Sequence, residues 1–140
     1  MPLSLPQRAD WQATLSSQYD LPLLRDRLRG WAQLHRFGPA AAADVVLAVS
    51  EIATNGLVHG RPPVHMHGWR DADTLIVQAD DHGGIPLPAA AGCRPPAPPP
   101  DDHYGLWVAR QIADVMKTHT AAAITSVRLY FPRNAASRVG

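Results

Sequence analysis

Disulfides are excluded from the start: the 140-residue chain has one cysteine, Cys93, which cannot pair internally and suits a reducing compartment. Charge of one sign is also missing. With 13 Lys and Arg against 12 Asp and Glu, and no long basic run, nucleic acid is not expected as a direct partner. The arginines Arg25, Arg27 and Arg29 alternate with Leu and Asp in helical register and read as a solvated helix face. No apolar run approaches the ~18 residues of a membrane span, and the N-terminus lacks a basic-then-apolar signal pattern. The expectation is a cytoplasmic protein without membrane contact, built as one domain over residues 1–140 with a core from about 11 to 131.

Proline is plentiful, and its distribution divides the chain. Residues 85–103 hold seven of the 14 prolines (Pro86, Pro88, Pro95, Pro96, Pro98, Pro99 and Pro100), which excludes helix or ladder through most of that stretch and predicts a long loop. Loops of that length inside a compact domain are usually functional lids or disordered segments. Before it, Trp11 to Ser16 alternates as a short strand. Leu24, Leu28, Trp31, Leu34 and Phe37 predict a first helix, with Asp20 as N-cap, Pro22 in the first turn, Gly38 as the stop and Trp31 and Phe37 in the core. An alanine-rich run after Pro39 opens a second helix that ends at Gly60. Val64 to Asp80 reads as a β-hairpin interrupted near Arg70–Asp73. Leu106 to Asp114 reads as a helix, Val127, Leu129 and Phe131 as a last strand, and residues 134–140 as a tail. Strand, two helices, hairpin, lid, helix, strand implies an α/β (α+β two-layer) sandwich: a mixed or antiparallel sheet with helices on one face, not βαβ units.

The second helix carries the chemistry. Val45, Ala48, Val49, Ile52 and Gly56 form its apolar stripe, and Glu51 and Asn55 sit one turn apart at the border of that stripe. Two half-buried polar groups need partners, supplied either by backbone or by an ion and a substrate. His59 continues their register but more readily closes the helix end. His65 and His67 share a strand face with no third ligand nearby, which favours solvent-facing strand residues over zinc. A convergence of His82, Cys93 and His103 beneath the lid is a minor alternative, and Trp69 and Trp107 can serve either core or surface.

Three segments in order resemble the motifs of the GHKL superfamily of ATP-binding domains: Glu51-x-x-x-Asn55 its N-box, Asp81-His82-Gly83-Gly84 its first glycine box, and Gly105-Leu106 with Asp114 its second. Within it the chain resembles the bacterial anti-sigma factor serine/threonine kinases. The resemblance implies a Bergerat-type fold, with residues 85–103 as the ATP lid, ATP and Mg²⁺ as cofactors, Asn55 as the Mg²⁺ ligand and Glu51 as general base. It also implies nucleotide contacts from Asp80 or Asp81, Gly83, Gly84, His103, Gly105 and Leu106. Asp81 shares a strand face with Leu75, Val77 and Ala79, which favours it over Asp80 as the acceptor of adenine's exocyclic amine; the register Asp80-x-His82-x-Gly84 is the alternative. The implied partners are a sigma factor and a phosphorylated antagonist protein, and a homodimer is compatible. His103 stands where the second box normally has its first glycine, and Arg94 is the lid's one cation between Gly92 and Asp101. Both departures keep a non-catalytic, nucleotide-dependent binding module as the alternative. A sensor histidine kinase is not expected, since no dimerisation helices with a phospho-accepting histidine precede the motifs.

Overall fold

The computed structural model describes residues 4–6, 8–83 and 104–133. The lid stretch 85–103, with Gly84, Cys93, Arg94 and His103, and the tail 134–140 lie outside the described residues. Strand β1 (Trp11–Leu15) leads through a 3₁₀ turn to helices α1 (Leu21–Leu34) and α2 (Pro39–Val58), then to the hairpin β2 (Val64–Asp71) and β3 (Thr74–Asp81). Helix α3 (Tyr104–Ile112) precedes a second hairpin, β4 (Val115–Ala121) and β5 (Ile124–Pro132). The five strands pair antiparallel throughout in the order β1-β2-β3-β5-β4. The α+β architecture expected from the sequence is present, and β4 is an addition to the expected order.

The helices cover one face of the sheet. α2 is the central element: Val45, Ala48, Val49, Ile52 and Ala53 are all nearly or fully inaccessible and meet Leu28 of α1, Val64, Met66, Leu75 and Val77 of the sheet and Leu106 of α3 in one core. Length and mean hydropathy (1.4) alone would let α2 cross a membrane, a point that the expectation of no such run missed; half of that window is buried inside this domain. Trp11 stacks edge-on against Trp31 at 5.6 Å, and the Trp31 indole N–H donates to Asp10 at 3.2 Å, which ties β1 to α1.

Helix α1 differs from the expectation in three details. Asp20 is the N-cap residue of α1, as expected, but makes no side-chain cap to it; its carboxylate accepts from Ser16 N (2.7 Å) and Ser17 N (3.2 Å), closing a capping box on the 3₁₀ turn. The helix stop is Arg36, not Gly38. Phe37 N donates to Ala32 O and Arg36 N to Gln33 O, both at 3.0 Å, a Schellman closure with Arg36 left-handed at φ 68°, while Gly38 is the N-cap of α2. Leu34 is 75% exposed because it lies on the flank of the stripe formed by Leu24, Leu28 and Trp31, past the end of the core.

The other face of the sheet is polar at its centre. Gln78 is fully inaccessible, accepts from Arg128 Nε at 2.8 Å and donates to Asp80 at 3.0 Å. Arg128 lies 4.9 Å over the Trp69 ring, donates to the Tyr130 hydroxyl at 3.3 Å and also donates to the Ser4 carbonyl, so the N-terminal segment lies against this face.

Candidate functional site

The C-terminal half of α2, the end of β3 and the first turn of α3 meet at one end of the sheet. Helical period places Glu51 and Asn55 on the flank of α2 that turns toward α3, while Ile52 and Gly56 face the sheet. Asn55 is 9% exposed and Glu51 half-buried. Neither side chain makes a hydrogen bond or ion pair among the described residues. No described backbone group satisfies this pair, so the explanation in which backbone groups do so loses its support.

Gly105 brings the main chain of α3 up to Glu51. A Cβ there would lie 2.8 Å from Glu51 Oε2, so only glycine permits this approach without moving the carboxylate. Leu106, next in sequence, is fully buried and anchors α3 in the core. Asp114 is exposed beyond the helix end, where its N–H donates to Tyr130 O at 2.9 Å.

Alternation along β3 separates the two candidate aspartates. Asp81 is 6% exposed on the helix-covered face, and Asp80 is half-buried on the polar face with Gln78. Main-chain donors hold Asp81: Oδ1 accepts from Gly83 N at 2.7 Å and Arg61 N at 3.4 Å, and Oδ2 takes part in neither bond. Its surroundings are glycine. A Cβ on Gly60 would fall on the Asp81 carboxyl, and one on Gly83 would lie 2.8 Å from Oδ1; Gly56 faces Asp81 Cβ. The sequence reading treated Gly60 as a helix end and Gly56 as stripe. Their common function of letting backbone close around Asp81 was missed, and only the spacing of three glycines around two turns hinted at it.

Desolvation pushes the Asp81 carboxyl above its usual range, outweighing the amides of Gly83 and Arg61 and the nearby His82, with Asp80 adding to the rise. A carboxylate kept in a dry, glycine-walled recess with one oxygen uncommitted is suited to accept a hydrogen bond from an N–H of a planar ligand. Unpartnered amide and carboxylate oxygens at Asn55 and Glu51 are hard donors of the kind that fit Mg²⁺. The main chain at Gly105, opening α3, suits the close approach of an anion.

Of the remaining sequence candidates, His59 is exposed at the α2 C-cap, and its N–H donates to Asn55 O at 2.9 Å. His82 is exposed and stacks edge-on with His65 at 5.6 Å. His65 and His67 are half-buried on the polar face, and no group of three metal-ligating side chains occurs among the described residues. Gly84 and His103 lie outside those residues.

A family model described as a histidine kinase-like ATPase domain matches residues 15–131. Among solved structures, the RsbU and RsbW domains of Rv1364c from Mycobacterium tuberculosis match with a TM-score of 0.64 at 19% identity. That match covers 87% of this chain and 32% of the other, so the present chain spans about a third of that protein's crystallised length and shares its fold. None of the curated proteins matches.

Proposed function

Because the chain belongs to the histidine kinase-like ATPase family, whose fold binds ATP, we propose that it is an ATP- and Mg²⁺-dependent regulator that phosphorylates a serine or threonine on a partner protein. The observation that carries this reading is the meeting of unpartnered Asn55, half-buried Glu51 and recessed Asp81 around the glycine-bearing start of α3. Asp81 Oδ2 would take the adenine amine, with Gly83 forming the wall of the base site. Asn55 Oδ1 would hold Mg²⁺, which when bound supplies charge neutralisation at the phosphates. The amides near Gly105 would face those phosphates, and Leu106 would fix that turn from the core. Glu51, one helical turn from Asn55, would accept the proton of the attacking hydroxyl.

The partner class rests on the resemblance of the three motifs to anti-sigma serine kinases: a sigma factor to hold and an antagonist protein to phosphorylate, in the cytoplasm, with which a homodimer is compatible. Calorimetric titration with Mg²⁺ and a non-hydrolysable ATP analogue tests the foundation. The parent should bind, and Asn55→Ala and Asp81→Asn should bind more weakly; no heat from the parent would remove every nucleotide reading. A second reading is favoured by His103 in place of a phosphate-box glycine: ATP as a ligand that orders a binding surface without transfer. Labelled phosphate appearing on a co-purified partner, and lost in Glu51→Ala, would exclude it.

A further inference from the structure

At the end of the sheet away from Asp81, about 23 Å along β3 by strand rise, three separate segments surround a cleft of about 350 Å³. The α1–α2 connection contributes Arg36, the β2–β3 hairpin Arg70 and Asp73, and the end of β5 Arg133. We infer that this cleft is a binding site for a phosphate monoester.

Charge favours that class. Three arginines against one aspartate leave two positive charges, which match the dianion that a phosphate monoester approaches at neutral pH. Asp73 is already committed to Arg133, through an ion pair at 3.3 Å and through its carbonyl, which accepts from Arg133 N at 3.0 Å. His35, also in the lining, faces Asp10 at 3.8 Å. The guanidinium groups of Arg36 and Arg70 have no carboxylate partner among the described residues, and their forked donors match phosphate oxygens in pairs. The volume exceeds that of a phosphate group, and the exposed Leu34 at the rim leaves apolar surface for the carbon skeleton that carries it.

Backbone conformation sets where the Arg36 side chain starts. Arg36 occupies the left-handed position that closes α1, where glycine is the usual residue and any side chain is disfavoured. The last turn does not need the guanidinium for capping, because the carbonyls of Trp31, Ala32 and Gln33 already accept from the N–H groups of residues 35–37. Its guanidinium, not used by the helix end, is thereby left at the rim of the basic cleft.

The test is a titration of ¹⁵N-labelled protein with O-phosphoserine, with a phosphoserine peptide and with a glutamate-rich peptide of equal net charge, followed through backbone amides. Phosphate compounds should shift His35, Arg36, Ala72 and Asp73 saturably while leaving Gly83 and Gly105 in place. Arg36→Gln with Arg70→Gln, both exposed positions, should weaken that binding at least tenfold. Arg36→Gly should melt higher than the parent and still lose the shifts. Tighter binding of the peptide would mark a phosphorylated protein as the source, and tighter binding of the amino acid a small phosphorylated molecule. Absence of saturation, equal response to the glutamate peptide, or unchanged binding in the double variant would each overturn the assignment.

Discussion

Two neighbouring carboxylates on β3 have opposite surroundings. Asp80 points to the polar face, where Gln78, Arg128 and Tyr130 bond one another and its own carboxylate takes a side-chain N–H. Asp81 points to the helix-covered face, is held at Oδ1 by main-chain amides alone, and is pushed up by desolvation. One face ties its acid into a side-chain network, with His67 Nδ1 and Ser126 Oγ left unpaired beside it. The other keeps a recessed acid with one oxygen uncommitted, together with Asn55 and a half-buried Glu51 whose polar atoms make no hydrogen bond among the described residues and are open to a ligand.

The largest effect that could break this contrast is on binding. Asp81→Asn should weaken an ATP analogue by roughly 10- to 100-fold, the range for losing a charged acceptor, without lowering the melting temperature of the nucleotide-free protein. Asp80→Asn should change affinity less than about threefold, because its carboxylate lies on the far face. Equal losses in calorimetry would erase the distinction between the faces. Next in size is Gly60→Ala, whose methyl would meet the Asp81 carboxyl and the Gly56 carbonyl; overpacking of this kind should cost about 1–3 kcal/mol in urea unfolding. Gln78→Leu sharpens the comparison from the other side. It removes the partner of Arg128 and Asp80 and should cost about 1–2 kcal/mol, with analogue affinity unchanged.

How much of this was legible depended on whether the signal was periodic. Glu51 and Asn55 at the border of the α2 stripe, and Asp81 on the core face of β3, follow from helical and strand periods, which packing against a single core preserves. β4 was missed because its hairpin turns at Ala122 and Ala123, at φ 50° and 63°, without the Gly, Asn or Asp that such a turn ordinarily needs. Gly38 reads as the α1 stop for the converse reason: the usual residue stands two places from where the chain turns, and Arg36 makes the turn instead. The glycine recess around Asp81 joins residues about 20 positions apart, Gly56 and Gly60 with Gly83, and no local pattern encodes that proximity. The polar network of Gln78 and Arg128 was hidden likewise, since the cross-strand partner of Gln78 follows only from strand register.

The smallest effect expected is a dependence of stability on pH with opposite signs for the two faces. His67, on the polar face, has a buried Nδ1 without a hydrogen bond, and desolvation lowers its pKa from 6.5, with Asp80 opposing and His65 assisting. On acidification the unfolded chain therefore takes up this proton first, so the contribution of His67 is fully present above pH 6.5 and is lost as pH falls through the lowered value. Asp81 runs the other way. Its folded pKa lies above 3.8, so the folded chain holds more protons in that interval, and stability from this group increases as pH falls from above the raised value toward 3.8. Urea unfolding of the nucleotide-free protein at steps from neutral pH down to the ordinary carboxyl range would separate the two. His67→Gln should flatten the profile just below pH 6.5 and leave the acidic limb, and Asp81→Asn should do the reverse. If either variant altered both limbs together, the faces would be electrostatically coupled through the sheet, and the separation drawn between Asp80 and Asp81 would fail.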